Sequence, residues 1–442
     1  MALRDTGPLV RELGRALPER PFAVELWDGG RLEPTEPGGP TLLVRSPQAI
    51  AHLLRAPGQL GLGRAYVSGA LAADDLDAVV ALIGRWQPPP LDARAKARLA
   101  LAGLRAMGPV RPPRIPAVEH RPRGRLHSLR RDAQAVRHHY DAGNDFFALF
   151  LDDSMTYSCA LFSRGARTLE EAQEAKLELV CSKLGLEPGM RVLDVGCGWG
   201  SFAIHAARRH RVEALGITLS PRQAELARER VAAAGLADRV EIRVADWREL
   251  ADDSFDAVAS IGMVEHVGEA SIDAYARRLF ELLRPGGTLL NHGIARLGSR
   301  PPEGGPFSER YVFPDGAVLP LARVLLALER AGFHPDHVEG LAADYAETLR
   351  HWIERFDARL DDAVRIAGAE RVRVWRLYLR AARNGFLTGL TSVFQVRCRR
   401  PAAEAPPTAA RRPRARPAVP AAAPAAPRRP APAASPPAAG RR

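Results

Sequence analysis

Between Val192 and Gly200 the chain reads Val-Leu-Asp-Val-Gly-Cys-Gly-Trp-Gly. An acid, Asp194, stands among apolar residues, and glycines then recur at 196, 198 and 200. This is the pattern of a buried strand breaking into a tight turn, where missing side chains let a ligand approach the backbone and positive φ carries no penalty. The third glycine of the dinucleotide fingerprint is missing and no Gly-Lys-Ser/Thr follows, which excludes a P-loop. Alone, the turn is equally compatible with a plain strand-turn-helix joint. Further polar groups fall at comparable points downstream. Thr218 follows a second apolar stretch, Val212–Ile217, with Gln223 one helical turn on. Asp246-Trp247 follows a third, Val240–Val244, and sets an acid beside an aromatic plane. Glu265, flanked by Val264 and Val267, is a carboxylate in apolar surroundings and needs a partner.

The elements that must position these groups follow from the same runs. Phe255–Gly262 predicts a fourth strand, and Gly287–Ile294 a fifth after the turn Arg284-Pro285-Gly286-Gly287. Ser220 and Pro221 supply an N-cap and a first helical residue. Strands alternating with helical stretches predict an α/β fold with a doubly wound, mostly parallel sheet, whose ligands bind at the carboxyl ends of the strands. The glycine strand resembles the first strand of S-adenosylmethionine-dependent methyltransferases with a Rossmann-like class I sheet. That resemblance implies cofactor contacts at Asp194, Gly196, Gly198 and Gly200. It assigns the ribose to Thr218 and Gln223, where the class usually carries an acid, and the adenine to Asp246 and Trp247.

The 442 residues allow two or three domains. Residues 1–115 predict a small α+β accessory domain, with a strand over Phe22–Trp27, its partner over Thr41–Val44, and helices over Ser46–Leu54 and Asp75–Trp86. Residues 116–130 read as a linker and 131–400 as the catalytic domain. Residues 401–442 are almost wholly Ala, Pro and Arg and predict a disordered tail. Its eight arginines and single acid, Glu404, account for seven of the twelve net positive charges. The tail is either a solvated appendage or an attraction to anionic membrane; arginines without interleaved aromatics argue against nucleic acid. Four cysteines form no CxxC pair and no zinc spacing, and no apolar run is long enough to span a bilayer. No metal site and a cytoplasmic location are therefore expected.

The segment His138–Phe162 (HHYDAGNDFFALFLDDSMTYSCALF), the glycine turn, Gly262–Gly268 (GMVEHVG) and Tyr311–Pro314 (YVFP) occur in that order. Together they resemble the cyclopropane-fatty-acyl-phospholipid synthases and the mycolic acid cyclopropane synthases, over about residues 130–398. The resemblance implies transfer of a methyl group from S-adenosylmethionine to the cis double bond of a phospholipid acyl chain, at the inner membrane face. An alkene is a weak nucleophile, so the sulfonium methyl must be held close and in line in a dry pocket. Transfer leaves a carbocation, and a base must take a proton from the added methyl before the ring closes. By resemblance that base is bicarbonate, cradled by Cys159, Glu265, His292, Ile294 and Tyr345, while Tyr157 and Ser158 join the cofactor set.

Each assignment has a plainer counterpart. A buried cysteine is usually a small hydrophobe, which is the expectation for Cys181, Cys197 and Cys398. A histidine at a strand end is commonly structural, as expected for His138 and His266. Tyr140, Tyr157, Phe146, Phe147, Phe150 and Phe162 either line a lid over the cofactor or form the core face of a helix. The helical stretch Tyr345–Gly389, rich in large apolar residues, either walls an acyl-chain channel or is ordinary core. A methyl- or methylene-branched product stays open, as do a homodimer and, more remotely, a lipid-binding protein without catalysis.

Overall fold

The computed structural model describes residues 5–83, 85–109, 111–121, 124–140, 142–251, 254–298 and 305–402. The tail expected to be disordered lies outside them from residue 403 onward. Near the N-terminus, β1 (Ala23–Glu25), β2 (Arg31–Leu32), β3 (Thr41–Val44) and β4 (Leu71–Ala73) form a sheet in the order β2-β1-β3-β4. The two expected strands do pair, in parallel; β2 and β4 lacked the length to be foreseen. The helix expected to reach Trp86 stops at Ala81. Trp86 is anchored elsewhere, its indole donating to the Glu19 carbonyl at 3.0 Å and its ring edge-on to Phe22.

The large sheet contains β5 (Arg191–Val195), β6 (Glu213–Thr218), β7 (Val240–Val244), β8 (Phe255–Ile261), β9 (Leu283–Ala295), β10 (His334–Gly340) and β11 (Ser392–Arg399). Their order is β10-β11-β9-β8-β5-β6-β7. The strands from β5 to β9 are mutually parallel, and β11 runs against both of its neighbours. The strand predicted from Gly287 starts at Leu283, because the Arg284–Gly287 turn stays within the ladder with Gly286 at φ +83°.

Alternation along the strands supplies both faces of the sheet. Leu193, Val195, Val258 and Leu289 pack beneath helices Ile272–Leu282 and Leu321–Arg330. Val192, Ala257, Ala259 and Leu290 pack against helices Leu169–Leu184 and Ser201–His210. Helix Leu169–Leu184 starts at a reciprocal capping box between Thr168 and Glu171 and ends on left-handed Gly185. The apolar stretch expected as an insertion forms helices Ala342–Asp357 and Leu360–Thr388, between β10 and β11.

The N-terminal elements dock on Glu119 and on the start of the YVFP motif. Arg64 makes a two-pronged ion pair with Glu119 at 2.7 Å, and the Tyr311 hydroxyl donates to the same carboxylate at 2.9 Å. Val67, Tyr311, Val312 and Val374 bury one another beside this pair. Among the described residues no helix is long and apolar enough to cross a membrane.

Candidate active site

The carboxyl ends of β5, β6, β7 and β8 open into one cavity that is continuous with solvent. Gly196, Gly198 and Gly200 all take positive φ, at +80°, +54° and +82°. A Cβ on Gly196 would meet the Met263 sulfur at 2.3 Å, whereas one on Gly198 would point into open space. Gly200 departs from expectation. It is absent from the cavity wall and starts helix Ser201–His210, with its missing side chain facing Ala227 and Ile204. The other nine cofactor candidates, Tyr157, Ser158, Asp194, Gly196, Gly198, Thr218, Gln223, Asp246 and Trp247, line the cavity.

Several of these side chains are held in one orientation with one polar atom left over. The Thr218 hydroxyl donates to Gln223 Oε1 at 2.8 Å, so the Gln223 amide nitrogen is left as a buried donor without a partner. Asp194 Oδ2 is a buried acceptor without a partner. Asp246 is bound at both oxygens by Arg248, and the Arg248 guanidinium also lies 5.3 Å from the Trp247 ring centre. An ammonium matches the Asp194 acceptor and ribose hydroxyls match the Gln223 donor, so the wall fits S-adenosylmethionine.

Lys176 was missed by the sequence reading. It is fully buried, lines the same cavity, and donates to Ser158 Oγ at 2.8 Å. Burial pushes its ammonium down to about 8, against the pull of Cys159, Asp152 and Asp194. Burial likewise pushes the Asp194 carboxyl up to about 7, and Lys176 opposes the rise. A sequence signal did exist. Of 63 lysines and arginines only Lys96, Lys176 and Lys183 are lysines, and two of these are nearly or wholly buried in the site region. A compact ammonium fits where a guanidinium fork does not.

Residues 156–163 are pinned from two sides. Gln173 donates to the carbonyls of Thr156 and Ser158, at 3.2 and 2.9 Å. From helix Ala342–Asp357, Thr348 accepts from the Ala160 amide at 3.0 Å and Asp344 accepts from the amides of Phe162 and Ser163 at 2.7 Å. This brings Cys159 to the start of that helix, where its thiol donates to the Leu341 carbonyl at 3.7 Å, one helical turn before Tyr345. Burial pushes the Tyr345 hydroxyl well above its ordinary range; nearby Tyr378, Cys159 and Glu265 push the same way. Glu265, on the short helix Val264–Val267, accepts from the Ile294 amide at 2.6 Å through Oε1. Its Oε2 is buried and unpartnered, and burial pushes the carboxyl up to about 7. His292, two residues before Ile294 on β9, is bonded at Nδ1 by Gln395 and has a buried, unpartnered Nε2. Cys159 and Tyr345 thus meet at the start of helix Ala342–Asp357, Glu265 is bonded to Ile294, and His292 lies two residues before Ile294 near the end of β9.

The aromatic residues divide. Tyr140 and Tyr157 line the cavity, and Tyr157 stacks on Trp352 at 5.2 Å. Phe146, Phe147 and Phe150 are fully buried among Phe356, Trp352 and Trp375, which makes them core. Phe162 stacks on His351. His266 lines the cavity, and His138 packs against His120. The four cysteines are buried and free, and Cys197 also touches the cavity.

The family profile for mycolic acid cyclopropane synthetase matches residues 127–396. A probable fatty acid methyltransferase of Mycobacterium tuberculosis is 42% identical over 357 residues, covering 78% of this chain and 83% of that protein. The cyclopropane-fatty-acyl-phospholipid synthase of Escherichia coli is 35% identical over 356 residues, covering 80% and 86%. Among solved structures, the mycolic acid cyclopropane synthase CmaA1 complexed with SAH and CTAB superposes with a TM-score of 0.57 at 34% identity, covering 60% of this chain and 98% of that one. Class I sheet and cofactor cavity thus come together in one chain, which belongs to the cyclopropane synthase family of S-adenosylmethionine-dependent methyltransferases.

Proposed function

We propose that the protein transfers a methyl group from S-adenosylmethionine to the cis double bond of an unsaturated phospholipid acyl chain and closes a cyclopropane ring, with bicarbonate as the base. One observation carries this reading. Glu265 Oε2 is a buried acceptor and His292 Nε2 a buried ring nitrogen, both unpartnered, and Glu265 is tied through its other oxygen to Ile294, two residues after His292 on β9. A small anion with one hydroxyl and several acceptor oxygens satisfies such a pair, and bicarbonate has that form. When bound, S-adenosylmethionine supplies an electrophilic methyl on sulfur and bicarbonate a weak base.

The remaining work belongs to the chain's own residues. Asp194 and Gln223 hold the cofactor's ammonium and ribose. Glu265 and His292 fix the anion, and Tyr345, neutral because it is buried, adds a hydroxyl donor. Trp352 and Phe386 pack on Tyr345 and exclude water, and the π-faces of these rings favour developing positive charge. Contact with an anionic bilayer is peripheral. Helix Ala93–Met107 supports it, turning Leu101 and Leu104 outward at about half exposure beside Arg94 and Arg98.

A methyl- or methylene-branched product, formed by loss of a different proton after methyl transfer, is the second reading. It is favoured by relatives named as probable fatty acid methyltransferases at 42% and 36% identity. Ring and branched-alkene products share one mass, because each gains a methyl and loses a proton, so ozonolysis of phospholipids from expressing cells separates them: only the branched alkene is cleaved. Purified protein should also lose turnover in carbon dioxide-stripped buffer and regain it with bicarbonate. Full turnover in stripped buffer would point to Glu265 itself as the base.

A further inference from the structure

His292, Gln395 and Glu339 form one row across three strands. Gln395 on β11 is the register partner of His292 on β9 and of Glu339 on β10. Lys183, from helix Leu169–Leu184, lies over this row. Its ammonium donates to Gln395 Oε1 at 2.6 Å and pairs with the Glu339 carboxylate. Gln395 is fully buried, and its other amide atom lies 3.0 Å from His292 Nδ1.

The donor and acceptor inventory leaves one consistent arrangement. An ammonium has only donors, so the Gln395 atom facing it must be the carbonyl oxygen. The Gln395 NH₂ must then face His292 and donate to Nδ1, which therefore carries no proton. A neutral imidazole with a bare Nδ1 carries its proton on Nε2. A second proton on Nδ1 would face the amide donor, so the imidazolium is also opposed, in line with the burial that pushes this ring down to about 3.

We propose that Gln395 is a positioning residue, oriented by the Lys183–Glu339 pair, that locks His292 as a neutral Nε2–H donor toward the anion. This rests on the anion-cradle reading above. A neutral donor holds an anion oxygen without drawing off its basicity as an imidazolium would, so the row keeps the bound anion able to accept a proton.

The test reads the tautomer directly, in the full chain labelled with ¹⁵N-histidine and free of cofactor and lipid. The His292 signals are assigned by their loss in His292→Gln. Wild type should show a proton on Nε2, none on Nδ1, and no titration between pH 5 and 9. Gln395→Glu still accepts from Lys183 but offers His292 an acceptor, so the proton should move to Nδ1 or both nitrogens should carry one. Turnover should fall roughly 100-fold, since a misoriented histidine loses about that or more, and its pH profile should change shape. Lys183→Met frees the amide to flip and should give a tautomer mixture. A wild-type proton on Nδ1, or an unchanged tautomer in both Gln395→Glu and Lys183→Met, overturns the assignment. Bicarbonate-independent turnover with the expected tautomers would instead remove the anion reading and leave the Gln395 lock standing.

Discussion

Replacing Glu265 by glutamine should make the enzyme more stable and far less active. The side chain keeps its shape, and its Oε1 can still accept from the Ile294 amide. What disappears is a buried charge whose second oxygen has no protein partner. Burial raises this carboxyl from 4.5 to about 7. Each tenfold in proton affinity is about 1.4 kcal/mol, so the ionised folded state bears a penalty of about 3 kcal/mol. Between those two pH values the folded protein holds a proton that the unfolded chain has released, so wild-type stability falls as pH rises through that window. Below it both states are protonated, and above it the whole penalty stands. Glutamine has no such dependence. The variant's advantage over wild type should therefore grow by about 3 kcal/mol from pH 4.5 to 7 and stay level at pH 8, a rise of several degrees in melting temperature. Turnover should meanwhile drop about 100- to 1000-fold, as for loss of one preorganised polar group at a reacting centre. Paired thermal melts of ligand-free protein at pH 5 and pH 8, with a lipid methylation assay, check both halves. A stability difference that does not change with pH would refute the claim that Glu265 is held as a strained buried acid.

Gly198→Val should abolish S-adenosylmethionine binding in calorimetric titration, because the new side chain enters the cavity, and should also lower the melting temperature, because a β-branched residue is strained at φ +54°. Lys176→Met should lower cofactor affinity at least 10-fold, with a steeper loss toward low pH, because Asp194 then holds its proton to higher pH without a cationic neighbour; equilibrium dialysis across pH 6 to 9 reads this. Glu119→Ala strands Arg64 and the Tyr311 hydroxyl and should cost about 3 kcal/mol in urea unfolding. Truncation after Arg400 should weaken sedimentation with anionic vesicles at low salt, the loss shrinking as salt rises, while turnover on detergent-dispersed lipid is unchanged.

The large sheet was legible because its central strands are buried on both faces, and such strands read as apolar runs ending in turns. The five predicted strands fall within a few residues of β5 to β9. Seven of the nine cofactor candidates on the wall end or follow one of these runs, whereas Tyr157 and Ser158 come from the segment before β5 and were reached only through the resemblance. Gly200 shows the limit. A glycine run says that side chains are excluded, but not whether a ligand or Ala227 excludes them. Lys183, Gln395 and Glu339 were out of reach for another reason. They meet across 156 and 212 residues of sequence, and nothing local to a glutamine marks it as the neighbour of a histidine in the next strand. The phenylalanines of Asn144–Phe150 were ambiguous in principle, since a lid and a core face share the same helical spacing.

The docking of the N-terminal elements bears on how far this enzyme can be cut down. The CmaA1 chain is matched over 98% of its length by only 60% of this one, so a catalytic unit without the extra elements exists as a folded protein. Excising that unit here would uncover Tyr311, Val312 and Val374, now between 1% and 2% exposed, and would take away the Arg64 that neutralises Glu119. Tyr311 and Val312 lead into Phe313, which stacks at 4.3 Å on His139, beside the cavity-lining Tyr140. Helix Gln59–Val67, through Arg64 and Val67, therefore braces the segment that runs beside the pocket. A minimal version of this enzyme needs a redesigned surface at Tyr311–Phe313 before it can be expected to hold its substrate.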